Sequence, residues 1–221
     1  GAIPAAPFRR LDAGAVGSLV ADYPLQLTAA ADPQIMATVE YLLQHSFHDR
    51  GFFQNMIHSG INAYLTLDIA QTLLRARQPH RAWPLIRSVA DKASPTGQWP
   101  EAIHPLTGGG CMGDGQHAWA AAEWIMIMRA LFLREEGDTL VLGGGIPGNW
   151  LERHETLAFG PSPTPWGPVE VVIEPGDGGH RLRVVADWRG TPPQLHACVP
   201  GFRETEVPAD GGPQVLEPHA R

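Results

Sequence analysis

Apolar residues recur at helical spacing through the first two thirds of the chain. Ile35, Val39 and Leu42 follow Asp32-Pro33, which reads as an N-cap with proline at the first helical position, and predict a helix over about 33–46. The same spacing predicts four more helices, over about 12–27 with an interruption near Pro24, 61–77, 83–93 and 116–135. We therefore expect layered helical hairpins in this region.

The last of these helices is apolar on nearly every side. Its apolar run, residues 118–133, contains Glu123 and Arg129 and is 16 residues long. A membrane-spanning helix needs roughly 20 apolar residues, so this segment is predicted to be a buried helix of a globular protein. Glu123 is expected to pair inside the protein with an arginine or a backbone group, and we assign it no catalytic role.

The pattern changes from helical to β after a turn-rich stretch at 161–168. Residues 169–175 and 180–188 read as two strands joined by a hairpin turn at 176–179, and 194–202 and 204–208 as further strands. The predicted fold class is mainly α, with a helical region at 1–155 followed by a small antiparallel β unit at 156–221. Such a unit needs a packing partner, because a few strands alone are marginally stable.

Composition excludes several function classes. A net charge of −7 and a pI near 5.8 leave no basic surface for nucleic acid or an anionic membrane. Cys111 and Cys198 lie far apart and show neither CxxC nor Cys/His spacing, so we expect neither a zinc ribbon nor a disulfide framework, and a single disulfide between them is the alternative. Nothing else in the sequence indicates a metal or an organic cofactor. The first residues show no basic-then-apolar pattern of a signal peptide, and because residue 1 is glycine we expect that the natural start is not included. We expect a soluble cytoplasmic protein.

The loop directly before the most apolar helix contains several candidate catalytic and substrate-binding residues. Residues 97–117 read GQWPEAIHPLTGGGCMGDGQH, with Glu101 as the candidate catalytic carboxylate and Trp99 as a flat apolar face for a sugar ring. The alternatives are a carboxylate that caps a helix or pairs with arginine, and a tryptophan that packs in the core. The glycines at 108–110 and 113 would let the backbone approach a ligand closely.

The order of these features resembles the last part of the catalytic domain of glucoamylase-like and glycogen-debranching-type glycoside hydrolases. The resemblance covers about 11–151 and rests on GAVGSLVADYPLQL, DPQIMATVEYLLQHSF, ASPTGQWPEAIHPLTGG and QHAWAAAEW. It implies helical hairpins of a partial (α/α)6 barrel. It also implies that Glu101 is the general base of an inverting hydrolase that acts on an α-glucoside or a related oligosaccharide.

Several polar and aromatic residues are candidates to bind the substrate, because they lie in the same loop or at helix starts. These are Trp99, His104, Gln116, His117, Trp119, Gln54, His58 and Asp12. For Asp12 an N-cap is the stronger alternative, and Asp114 is a second N-cap candidate. Solvent-exposed polar residues at a helix start are an equal alternative for Gln54 and His58.

The chain departs from the resembled family in one respect that affects function. It has too few predicted helices for a complete barrel, and the segment that carries the family's general acid has no counterpart here. Its partner would then be the missing upstream part of the barrel or another chain. A carbohydrate-binding or interaction module without catalysis is the competing class. A lyase or epimerase that uses His58, His104 or His117 is a third.

Overall fold

The structure is a computed structural model, which describes residues 1–56, 59–113, 115–176, 179–210 and 212–219. The chain forms two compact units, residues 1–127 and 128–221, and the boundary between them falls inside the fourth α-helix. The division into functional domains after residue 155 stays a prediction.

The first unit contains most of the helices. They are a 3-10 helix at Ala13–Ala21, then α1 Pro33–His45, α2 Ala63–Arg75, α3 Pro79–Asp91 and the start of α4 Ala118–Phe132. Asp32 caps α1 as predicted, because its Oδ1 accepts from the backbone N of Gln34 at 2.8 Å and of Ile35 at 3.2 Å. The predicted helix at 12–27 was wrong in type and in length, since the segment forms a 3-10 helix that ends at Ala21.

Short strands connect these helices and form a five-stranded antiparallel sheet. Their order along the sheet follows the chain: β1 Phe47–His48, β2 Gly51–Gln54, β3 Gly60–Ile61, β4 Ala102–Ile103 and β5 Gly110–Met112. β3 and β4 pair so closely at Gly60 that an added Cβ there would lie 2.9 Å from both the Ala102 Cβ and the Cys111 Sγ. Glycine is therefore required at this position of the sheet.

The second unit is built mainly from two four-stranded sheets. Its elements are β6 Leu133–Glu136, β7 Thr139–Leu142, α5 Gly148–Leu151, β8 Leu157–Thr164, β9 Gly167–Gly176, β10 Gly179–Ala186, β11 Gln194–Ala197, β12 Thr205–Glu206 and β13 Gln214–Leu216. One sheet has the order β13-β10-β9-β8 and the other β12-β11-β7-β6, in which β11 and β7 are parallel. The predicted β9–β10 hairpin is confirmed, although residues 177 and 178 of its turn lie outside the described residues.

The predicted fold class, mainly α with hairpins of a partial (α/α)6 barrel, was wrong. The fold is mixed, with 31% of the chain helical and 27% in strands, and its three sheets are antiparallel or mixed. The strands at 47–61 and 102–112 are two to four residues long. Hydrophobic periodicity identifies a strand only over about four to eight residues, so these segments looked like loops between helices.

The prediction that α4 is buried on all sides was also wrong. Trp119, Ile125 and Met126 on this helix are 64%, 65% and 40% exposed. Apolar residues on every side of a helix predict burial only when neighbouring elements cover each side. Among the described residues, no helix is long and apolar enough to cross a membrane.

A buried ion pair connects the end of α2 to the segment after the 3-10 helix. The Arg75 guanidinium pairs with the Asp22 carboxylate, and these side chains are 8% and 1% exposed. Arg75 also donates to the backbone carbonyls of Asp22 and Thr28, each at 3.1 Å. Removing one partner of a buried pair leaves a charge that water cannot reach.

We expect Arg75→Met to lower the free energy of unfolding of the first unit by about 3–5 kcal/mol, because Asp22 would keep a buried charge without its partner. Urea unfolding followed by circular dichroism measures this. The control is Arg87→Met, whose partner Asp91 lies 3.9 Å away with both side chains more than half exposed, and it should cost less than about 1 kcal/mol. Equal losses in the two variants would contradict the assigned role of Arg75.

Candidate active site

Backbone hydrogen bonds hold Glu101 in a fixed place. It directly precedes β4, and its backbone N donates to the Met112 carbonyl on β5 at 3.2 Å. Its carbonyl accepts from Nδ2 of Asn62, the buried N-cap residue of α2, at 3.0 Å. The position of Glu101 is therefore set by the edge of the sheet and by the start of a helix.

These hydrogen bonds involve only the backbone of Glu101 and leave its side chain available to bind a ligand. It is partly buried, and within the described part of the chain its carboxylate makes no hydrogen bond or ion pair. Gly113 packs against it with a φ of +78°, and an added Cβ there would lie 3.3 Å from the Glu101 N. Glycine at 113 thus allows one backbone segment to pass close to the carboxylate-bearing residue.

Three rings lie together at the start of α2 and α4. The Tyr64 ring is 5.3 Å from that of His117 and 5.3 Å from that of Trp119, against which it packs edge to face. Burial raises the pKa of Tyr64, and the negative charge of Glu101 raises it further. Two hydrogen bonds connect the Glu101 loop to this aromatic group: Asn62, two residues before Tyr64, donates to the Glu101 carbonyl, and His117 N donates to the Trp99 carbonyl at 2.8 Å. Trp119 is the exposed member of the group.

Trp99 and His104 have structural contacts that account for their positions. The Trp99 side chain is 5% exposed, donates from Nε1 to the Val89 carbonyl at 2.8 Å and packs on Trp124. His104 accepts at Nδ1 from two backbone N–H groups of the next turn, each at 3.2 Å. Both residues shape the loop on either side of Glu101, and their predicted contact with substrate stays a prediction.

The other predicted binding residues lie in different places. Gln54 ends β2 and is partly buried, and Gln116 is exposed just before His117. Asp12 caps the 3-10 helix by accepting from Gly14 N at 2.8 Å, and it pairs with Arg9 at 2.7 Å, which lowers its pKa. The predicted roles of His58 and Asp114 fall outside the described residues.

A second group of polar side chains lies one to two turns further along α2 and α4. The Tyr23 hydroxyl lies 3.1 and 3.0 Å from the two carboxylate oxygens of Glu123 and receives a hydrogen bond from Gln71 Nε2 at 3.3 Å. Asp68 follows Tyr64 by one turn of α2 and interacts electrostatically with Glu123. Glu123 therefore meets a tyrosine hydroxyl where the sequence analysis expected an arginine or a backbone group.

Burial decides the protonation of these carboxyl groups. It raises the pKa of Asp68 from 3.8 to about 8, with the charge of Glu123 as the second cause. Burial also raises the pKa of Glu123, against the opposing effect of hydrogen bonds from Tyr23 and Gln71. Asp68 consequently keeps its proton at neutral pH.

Four of these residues were missed by the sequence analysis: Asn62, Tyr64, Asp68 and Tyr23. Tyr64 and Asp68 were visible as an aromatic and an acidic residue four positions apart within a predicted helix. Asn62 was visible as an N-cap residue type at the start of that predicted helix. Tyr23 and Glu123 are 100 residues apart in the sequence, so no local sequence pattern indicates their contact.

No protein-family model and no curated protein matches the sequence. The chain is similar, over 52% of its length, to a solved structure titled "Glycosidase Wild Type", with 18% identity, a TM-score of 0.46 and coverage of 35% of that chain. A second structure, titled as a single-substitution variant of a glycosidase, has 20% identity and a TM-score of 0.38 over 51% of this chain and 29% of that one. This chain thus spans about a third of the length of both.

We expect Asp68→Asn to stabilise the folded protein at pH 8 and to leave its stability at pH 4 nearly unchanged. The folded pKa of Asp68 is raised, so the wild type loses stability as the pH rises from 3.8 towards about 8, where the buried group ionises. The amide cannot ionise, and the gain at pH 8 should be on the order of a few kcal/mol. Urea unfolding at both pH values measures it.

The exposed variant Asp91→Asn is the matched control and should shift stability by less than about 0.5 kcal/mol at either pH. A gain for Asp68→Asn that is equal at pH 4 and pH 8 would show that ionisation of Asp68 does not destabilise the fold.

Proposed function

We propose that this chain hydrolyses glycosidic bonds with inversion and that Glu101 is the general base. The observation that supports this most is the Glu101 carboxylate itself. It has no hydrogen bond or ion pair among the described residues, while its backbone is held by Asn62 and Met112. A base must be fixed in position and must keep its oxygens available for a water molecule.

The aromatic group beside Glu101 favours a sugar as the substrate. Trp119 presents an exposed ring at the start of α4, with Tyr64 packed against it. A flat apolar ring with a polar edge suits the apolar face of a pyranose. We propose an α-glucoside or a related oligosaccharide, the substrate class implied by the resemblance of the 97–117 loop and its flanking helices.

Inverting hydrolysis also needs a carboxyl group that is protonated at neutral pH, and we assign this role to Asp68. It lies one turn from Tyr64, and its burial keeps the proton on the carboxyl group. In the reaction, Glu101 takes a proton from water as the water oxygen attacks the anomeric carbon. Asp68 gives its proton to the departing glycosidic oxygen as that carbon–oxygen bond breaks.

Glu101→Gln tests the base. We expect it to lower kcat for maltooligosaccharide hydrolysis by about 10²-fold or more and to change binding little, because the amide keeps the shape of the carboxylate but cannot accept the proton. The exposed variant Glu152→Gln is the control and should keep wild-type kcat. Unchanged hydrolysis by Glu101→Gln would exclude Glu101 as the base.

Hydrolysis of a glucosyl fluoride distinguishes the role of the general acid from that of the general base, because fluoride leaves without being protonated by an acid. Asp68→Asn should lose hydrolysis of oligosaccharides and keep hydrolysis of the fluoride, whereas Glu101→Gln should lose both. If Asp68→Asn keeps the wild-type rate on both substrates, the acid comes from another segment or another chain. The anomer released, followed by proton NMR, tests inversion independently.

The second candidate function is carbohydrate binding without catalysis, which the exposed ring of Trp119 also favours. Under either function we expect Trp119→Ala to weaken maltooligosaccharide binding up to about tenfold, the range of one aromatic contact. The control is Ile125→Ala, which removes an equally exposed apolar side chain of α4. Calorimetry would contradict a role for the ring if both variants bind like the wild type.

A further inference from the structure

Three side chains with metal-binding atoms lie close together in the second unit, and none of them belongs to the candidate active site. The ring nitrogen of His196, the sulfur of Cys198 and a carboxylate oxygen of Glu204 all lie within 4.8 Å of one another. His196 is on β11, Cys198 directly follows this strand, and Glu204 directly precedes β12. Cys198 is buried, His196 is partly buried and Glu204 is exposed.

The pairing of β11 with β12 accounts for this meeting. The two strands are antiparallel, with His196 opposite Glu206 and Ala197 opposite Thr205. The same register continued by one residue places Glu204 opposite Cys198. Because alternate residues of a strand point to the same face, the side chains of His196 and Cys198 share a face with that of Glu204.

The backbone around the three residues is fixed by hydrogen bonds of its own. Cys198 N donates to the Leu142 carbonyl on β7 at 2.9 Å, which continues the parallel pairing of β11 with β7. Phe202 N donates to Val199 O at 3.1 Å within the connecting segment, and Arg203 N donates to Glu217 O at 2.8 Å. The arrangement therefore does not depend on an ion to hold the two strands together.

We propose that His196, Cys198 and Glu204 bind a zinc-class divalent cation, with a fourth coordination position open on the exposed side. Thiolate, imidazole and carboxylate are the ligands that Zn²⁺ takes in proteins, and three of them with an open position is the usual form of a reactive zinc site. Tetrahedral bonds of about 2.0–2.3 Å place ligand atoms roughly 3.5 Å apart. Glu204, which is exposed, has the freedom to make this small approach.

Charge also favours a cation at this place. The ion would be bound by a deprotonated thiol and by a carboxylate, so two negative charges would meet the two positive charges of Zn²⁺. The exposed position of Glu204 gives the ion a path from solvent. This inference does not depend on the proposed hydrolase, because it concerns different residues in the other compact unit.

Cobalt(II) spectroscopy of the full chain tests the site. After treatment with a chelator and dialysis, Co²⁺ should bind at one ion per chain and produce thiolate-to-cobalt absorption in the near ultraviolet, and Zn²⁺ should displace it. Cys198→Ser should remove this absorption, while Cys111→Ser, which changes the other cysteine, should keep it. Absorption that persists in Cys198→Ser, or that is absent from the wild type, would overturn the proposal.

Glu204→Ala is a second variant that tests the site even if Cys198→Ser does not fold. The side chain at 204 is exposed, so its removal leaves no buried cavity. This variant should keep the wild-type circular dichroism spectrum and weaken Zn²⁺ binding by at least about tenfold, since losing even an outer-shell partner costs about 10–100-fold. Competition against a chromophoric chelator measures the affinity. Unchanged affinity would exclude Glu204 as a ligand.

Discussion

The candidate active site depends on the side chain of Asn62, which makes hydrogen bonds to both the start of α2 and the loop that carries Glu101. Its Oδ1 accepts from Leu65 N at 3.1 Å and caps α2, while its Nδ2 donates to the Glu101 carbonyl at 3.0 Å. The residue is fully buried, so neither hydrogen bond competes with water. The amide offers both an acceptor and a donor, whereas aspartate would cap the helix but could not donate to Glu101. One buried residue thus sets the helix start and the position of the proposed base.

Polar side chains follow Asn62 along one side of α2 at helical spacing. Tyr64, Asp68, Gln71 and Arg75 follow one another at three or four positions along a helix whose other residues are largely buried and apolar. Gln71 and Arg75 are buried and Tyr64 and Asp68 are partly buried, and polar groups removed from water in this way lower stability unless they have partners. Tyr23 and Asp22 partly fulfil that need. Asp68 stays neutral by holding a proton, which is a property that the proposed reaction uses.

The sequence predicted elements whose signals are local. The Asp32 cap and the β9–β10 hairpin were correct because a capping residue and an alternating pair of strands act over a few positions. The sheet from β1 to β5 was missed because its strands are too short to show a period. Its pairings join residues 47–61 to residues 102–112, and such contacts are encoded by packing and not by neighbouring residues.

The same distinction explains which site residues could be found. Glu101 stood out because a carboxylate lay in a glycine-rich loop beside a tryptophan and a proline. Asp68 did not, because its unusual property is a raised pKa that arises from burial and from Glu123, 55 positions away in the sequence. The proximity of Cys198 to Glu204 was equally hidden, because the pairing register of β11 and β12 brings the proposed metal ligands together. Residue type and spacing can identify a group that is exposed to a ligand, but a group whose chemistry comes from its surroundings requires the fold.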